Sequence, residues 1–205
     1  MKSESSSPRH DTLAPSHWIL RHAHLVPPRA RVLDLACGHG RHARFFAECG
    51  AQVVAADRDA DALVAMEGVR GIETRRIDLE ASSWPFANER FDAIVVANYL
   101  HRPHLPQIVA SVADDGVLLY ETFARGNEAY GRPSNPLFLL EPGELLAAVD
   151  GRLAVVEFAQ GMIVDGGRRA VVQRIAAVGL RRHWPPPLAP QAALAATSAR
   201  PYAGE

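Results

Sequence analysis

The run Val32-Leu33-Asp34-Leu35 passes into Ala36-Cys37-Gly38-His39-Gly40 and then into Arg41-His42-Ala43-Arg44-Phe45-Phe46-Ala47. This order limits the possible folds more than any other stretch. The first segment is an apolar β-type run, Gly38 and Gly40 allow a sharp turn and a close ligand approach, and the last segment has helical periodicity. Strand, glycine turn and helix in that order build a ligand site at the carboxyl end of a parallel strand.

Two kinds of cofactor suit such a turn. Gly38-His39-Gly40-Arg41-His42-Ala43 fits the relaxed G-x-G-x-x-G/A pattern of dinucleotide sites. Asp34, four positions before Gly38, shifts the weight, because a carboxylate there suits a cationic ligand and repels a pyrophosphate. S-adenosylmethionine carries a sulfonium and an ammonium and has no phosphate.

The segment Asp34-Leu35-Ala36-Cys37-Gly38-His39-Gly40 resembles motif I of the class I S-adenosylmethionine-dependent methyltransferases, D/E-x-G-x-G-x-G, with Ala36 in place of the first glycine. The resemblance runs from about residue 13 to about 178. It implies a Rossmann-like α/β fold: a mostly parallel seven-stranded sheet with helices on both faces and a C-terminal antiparallel hairpin. A later stretch, Glu121-Thr122-Phe123 through Gly126-Asn127 and Gly131-Arg132-Pro133 to Phe138-Leu139-Leu140, is similar to a segment of the small bacterial tellurite-resistance-type methyltransferases.

Taken in order, Ser16 caps a helix carrying Trp18, His22 and Leu25 on one face, and Pro27-Pro28 ends it. The resemblance makes Ser16, Trp18 and Arg21 cofactor candidates; packing of Trp18 against the sheet is the alternative. Gln52 to Asp57 reads as a second strand, with Asp57 placed 19 positions after Gly38, where a strand-end acid accepts ribose hydroxyls. Asp59 caps the following helix. Glu73 to Leu79 reads as a polar third strand. By resemblance Asp78 accepts the adenine amino group and the main chain of Leu79 meets the ring.

Ser82 to Phe86 is a loop whose aromatics either pack or shield the adenine. Phe91 to Asn98 is an apolar run expected at the sheet centre. Beyond it, Asn98 to His104 falls where the resemblance places groups facing the transferred methyl; the N/D-P-P-Y/F signature of base methylation is absent. Leu105 to Ala113 reads as a helix, Asp114-Asp115-Gly116 as a turn and Val117 to Phe123 as the fifth strand. Residues 124–140 read as a lid over the acceptor pocket, long enough to be functional, and Pro142 to Val149 as a helix. Leu153 to Phe158 and Ala170 to Ile175, around Asp165-Gly166-Gly167, form a hairpin.

The expected cofactor set is therefore Asp34, Ala36, Gly38, Gly40, Asp57, Arg58, Asp78, Leu79, Asn98 and Trp18. Phe123, Asn127, Tyr130 and Arg132 are expected to meet the acceptor. Methyl transfer from a sulfonium needs alignment and a dry pocket first. A base matters only for an acceptor that must lose a proton, and His101, Glu121 and Tyr99 are the candidates. Surface exposure of His101, hydrogen-bonded structural roles for Glu121 and Tyr99, and a surface pair of Arg132 with Glu128 are the competing readings.

The chain has 205 residues, a formal net charge of −1 and two cysteines, Cys37 and Cys49. That length suits one domain, expected over residues 12–180 between disordered tails at 1–11 and 181–205. The charge gives no argument for nucleic acid, no run approaches the roughly 20 apolar residues of a membrane span, and two cysteines make no disulfide framework. The expectation is a cytoplasmic monomer or homodimer acting on a small-molecule acceptor. The pairs His22/His24, His39/His42 and His101/His104 lack a second local pair at zinc spacing, so no metal is expected. An NAD(P)-dependent oxidoreductase and a non-catalytic cofactor-binding regulatory domain are the alternatives.

Overall fold

The computed structural model describes residues 14–81, 83–165 and 167–188. Seven strands form one sheet: β1 (Arg31–Leu35), β2 (Gln52–Asp57), β3 (Ile72–Arg76), β4 (Phe91–Ala97), β5 (Val112–Phe123), β6 (Leu153–Asp165) and β7 (Arg168–Gly179), in the order β3-β2-β1-β4-β5-β7-β6. β1 to β5 run parallel. β7 enters antiparallel between β5 and β6. The expected architecture, with its closing hairpin, is the observed one.

Strand alternation divides the core into two layers, because successive side chains point to opposite faces. Val32, Val53, Ala55, Ala93, Val95, Leu119 and Ala176 pack with Trp18 and Ile19 of α1 (His17–His22), Phe46 of α2 (Arg41–Glu48) and Leu63 of α3 (Ala60–Val64). Leu33, Leu35, Ile94, Val96, Leu118, Tyr120 and Ile175 pack with Ile108 of α4 (Leu105–Ala110) and with Leu145 and Val149 of α5 (Glu144–Val149). β1 and β4 are almost wholly buried, which is why both read as continuous apolar runs. The polar third strand is the sheet's edge and stops at Arg76, so Ile77, Asp78 and Leu79 belong to the loop beyond it. Trp84 and Phe86 pack in the core, and the Trp84 indole N–H donates to Ser111 Oγ at 2.9 Å.

Two expectations change. The helix read over Leu105–Ala113 ends at Ala110, and Val112 already pairs with Phe91. The register then slips so that Ala93 faces Val117. Asp114-Asp115-Gly116 is thus an irregularity inside a long β5 and not a turn before a short one. Residues 181–188, read as the start of a disordered tail, have defined contacts: the Arg182 guanidinium donates to Leu25 O at 2.6 Å, and Pro187 O lies 2.9 Å from His24 Nε2. The expected tail segments 1–11 and 189–205 lie outside the described residues.

Candidate active site

The sequence of strands leaves β1, steps outward through β2 to β3, and then returns to the other side of β1 as β4. Ligands of open α/β sheets bind where the order reverses in this way, beyond the carboxyl ends of the strands. Here the reversal lies between β1 and β4, so Ala36–Gly40 and Asn98–Tyr99 flank it.

The turn after β1 is held by carboxylates. Ala36, Gly38 and Gly40 have φ of 54°, 54° and 76°, left-handed values that cost a residue with a Cβ about 1–2 kcal/mol. Ala36 bears that cost where the motif has glycine. At Gly40 a Cβ would lie 1.8 Å from Met66 Sδ, whereas at Gly38 it would meet nothing within 4 Å. One position therefore serves packing and the other leaves its surface open to a ligand.

Asp57 Oδ2 accepts the Gly38 N–H at 2.7 Å and its Oδ1 accepts the Asp59 N–H at 2.9 Å. Asp59 caps α3, as expected. Asp34 is 1% exposed and accepts the Ala43 N–H at 2.8 Å. Burial pushes its pKa up to about 7, partly offset by that hydrogen bond. Asp34 thus braces the glycine turn against α2 from beneath. On α2, buried His42 accepts the Ser16 N–H through Nε2 at 3.2 Å, and desolvation brings its pKa down to about 3. This contact ties the start of α1 to the helix that follows the glycine turn.

Ala36, Asp57, Arg58, Ile77, Asp78, Leu79, Glu80 and Tyr99 line a cavity of about 160 Å³. Six of these eight were expected to be functional. Ile77 and Glu80 are additions, and the shortened third strand brings both to the site. Ala36, Ile77 and Leu79 give it apolar walls, and three carboxylates face one guanidinium at its rim. That charge balance repels a pyrophosphate and suits a neutral nucleoside joined to a cation.

The residues around the cavity are themselves held in place. The Tyr120 hydroxyl donates to Tyr99 O at 2.8 Å. Asn98, at φ 58°, donates its N–H to Glu121 O at 3.0 Å. His104 Nε2 lies 2.6 Å from Leu79 O; since a carbonyl only accepts, Nε2 carries the proton. In the sequence His104 stands in a histidine pair and at the end of the Asn98–His104 stretch, and its contact with Leu79, 25 positions away, has no local signal.

Other expected residues lie elsewhere. Trp18 is 5% exposed, with its indole N–H donating to Ile175 O at 3.4 Å and its ring 4.2 Å from that of His22. The packing alternative describes its position, and it does not line the cavity. Glu121 Oε2 is 3.1 Å from Arg174 Nε, a pair set by their direct register between β5 and β7, so a structural partner occupies this carboxylate. His101 is half-buried, its ring 4.7 Å from that of His104.

In the 124–140 segment, Asn127 is buried and is a cross-link: its amide donates to Pro133 O at 3.0 Å and accepts the Val171 N–H at 3.1 Å. This replaces a direct acceptor contact, since both ends of the amide are occupied. Arg102 pins the far end of the segment, bonding Leu137 O at 2.9 Å, Leu139 O at 2.7 Å and the Glu144 carboxylate. Between these anchors Tyr130 and Arg132 are exposed. Arg132 has no ion pair with Glu128. Phe123 is half-buried and, with Asn127, Tyr130 and Arg132, is not among the residues lining the cavity. Among the described residues no helix is long and apolar enough to cross a membrane.

Comparison with known proteins agrees with this geometry. Residues 32–114 match a family model described as a methyltransferase domain. No curated protein matches the chain. Among solved structures, TehB from Haemophilus influenzae is similar with a TM-score of 0.66 at 21% identity, over 83% of this chain and 64% of that one, so the chain spans less than two thirds of that TehB. A methyltransferase from Methanosarcina mazei is similar with a TM-score of 0.62 at 17% identity, over 82% and 99% of the two chains. Coclaurine N-methyltransferase, bound to N-methylheliamine and S-adenosylhomocysteine, gives 0.61 at 13% identity, over 86% and 76%. Sequence match and architecture converge: residues 32–114 resemble a methyltransferase domain, and the whole sheet has the fold of these methyltransferase structures.

Proposed function

We propose that this protein transfers the methyl group of S-adenosylmethionine to a small-molecule acceptor, as a cytoplasmic monomer or homodimer. The observation that carries the reading is the acid-rimmed cavity at the reversal of strand order, continuous with the glycine turn through the Asp57–Gly38 bond. The cofactor supplies an electrophilic methyl on a positively charged sulfur. The protein supplies position. Asp57 accepts the ribose hydroxyls, Asp78 accepts the exocyclic amine of the base, Leu79 and Ala36 wall the ring, and the open surface of Gly38 admits the amino-acid end. Arg58 stands at the rim, and Asn98 shapes the end of β4 towards the methyl.

His101 is the base for an acceptor that must lose a proton, since it follows the β4 tip and, unlike Glu121, is not held in an ion pair. Tyr130 and Arg132, projecting between the anchors of the 124–140 segment, meet the acceptor, with Phe123 at the base of that segment.

Calorimetry with S-adenosylhomocysteine tests the reading. Wild-type protein should bind it, and Asp57→Ala should abolish binding while circular dichroism shows the fold retained. Binding of NAD or NADP in its place would establish the oxidoreductase alternative. Binding without methyl transfer across a broad acceptor screen would establish a regulatory cofactor-binding module.

A further inference from the structure

The Tyr99 hydroxyl is buried, and no hydrogen-bond partner meets it, although Tyr99 lines the 160 Å³ cavity. A buried polar atom left unpaired costs about 1–3 kcal/mol, so an orphan of this kind calls for an explanation. Its location within the cavity is informative. Glu80 and Asp78 are the carboxylates whose charges act on it, with Arg58 opposing them, and all three line the same cavity. Its main chain is fixed by the Tyr120 hydroxyl, and the adjoining Leu79 carbonyl is fixed by His104. The phenol is therefore a donor carried on a fixed main chain, beside a loop that His104 holds in place. Burial and the two carboxylates also push its pKa above the ordinary tyrosine value, which keeps the proton on the oxygen.

We propose that Tyr99 is a specificity residue for the base: its hydroxyl donates to N1 of adenine while the Asp78 carboxylate accepts from the neighbouring amino group. An amine beside a ring-nitrogen acceptor is the pattern adenine presents, whereas a 6-oxo purine puts a carbonyl where the amine stood. That carbonyl would face the Asp78 carboxylate with no proton between them, and N1, which bears a hydrogen in a 6-oxo purine, would no longer accept from the Tyr99 hydroxyl. The cavity thereby selects adenosyl over inosyl ligands, and Tyr99 serves recognition and not proton abstraction. The inference rests on the assignment of this cavity to the cofactor.

The test is calorimetry with S-adenosylhomocysteine and S-inosylhomocysteine against wild type and Tyr99→Phe, with thermal melts alongside. Phenylalanine keeps the ring and removes only the donor. Wild type should prefer the adenosyl ligand by at least roughly tenfold, and Tyr99→Phe should lose roughly tenfold in adenosyl affinity and much of the preference, with a ligand-free Tm no lower than that of wild type. Equal adenosyl affinity in the two proteins overturns the role of Tyr99 and leaves the cofactor assignment standing. Failure of wild type to bind either ligand overturns both.

Discussion

The Asp57 carboxylate takes the Gly38 main-chain N–H at 2.7 Å, so the tip of β2 sets the shape of the turn that leaves β1. The two glycines of that turn then differ in what they protect. Gly38→Ala points a methyl into open space and Gly40→Ala points one into buried Met66. Gly38→Ala should cost about 1–2 kcal/mol of stability from backbone strain yet abolish binding of S-adenosylhomocysteine. Gly40→Ala should cost more, about 2–4 kcal/mol, because overpacking adds to the same strain. Urea unfolding combined with calorimetry separates the two, and a reversed order would refute this division.

Asp34 links stability to pH. Its folded pKa of about 7 stands above the ordinary 3.8, so between these values the folded chain holds a proton that the unfolded chain has released. The contribution is complete below about pH 4, is lost as pH rises through 7, and then stays lost. Asp34→Asn keeps an acceptor for the Ala43 N–H without titrating. The stability of wild type relative to this variant should fall by up to about 1.4 kcal/mol per pH unit across that window. A difference that does not change with pH would show the carboxyl to be ionised throughout.

His42 acts with the opposite sign. Its folded pKa of about 3 lies below the ordinary 6.5, so its contribution is complete above pH 6.5 and drains away as pH falls towards 3. His42→Gln offers an uncharged acceptor to the Ser16 N–H. Acid melts should show the variant overtaking wild type on a relative scale below pH 6. Parallel curves for the two proteins would refute the assignment.

Asn127 clamps the 124–140 segment to β7. Asn127→Ala leaves the Val171 N–H and the Pro133 carbonyl without their partner and should cost about 1–3 kcal/mol. Hydrogen exchange should quicken between residues 125 and 140 while the amides of β1 and β4 keep their protection. Uniform acceleration across the sheet would instead make Asn127 part of the global core.

Local features of this fold are legible in the sequence, and long-range ones are not. The β1 run, the glycine turn and the Asp165-Gly166-Gly167 hairpin signal are decided by neighbours within a dozen residues, and the sheet has the expected form. Asp57 and Asp78 line one cavity because they stand at the carboxyl ends of β2 and β3, which pair in parallel register. The start of β5 misleads because Asp114-Asp115-Gly116 has turn composition, and only its pairing partner Phe91 pulls Val112 into the sheet. The Glu121–Arg174 and His104–Leu79 contacts join positions 53 and 25 residues apart, and no periodicity encodes them. Trp18 shows the same limit from the other side: an aromatic at the right place in the chain for a ligand is claimed by the core.

Among the described residues the last strand along the chain, β7, is not the last in the sheet; it sits between β5 and β6. During synthesis, β5 therefore waits with one bare flank and β6 has no strand to join until Arg168–Gly179 has left the ribosome. Exposed flanks of this kind attract other chains. A message truncated before codon 168 would consequently encode an adhesive fragment and not a smaller stable domain, and the newborn protein passes through that vulnerable stage every time it is made.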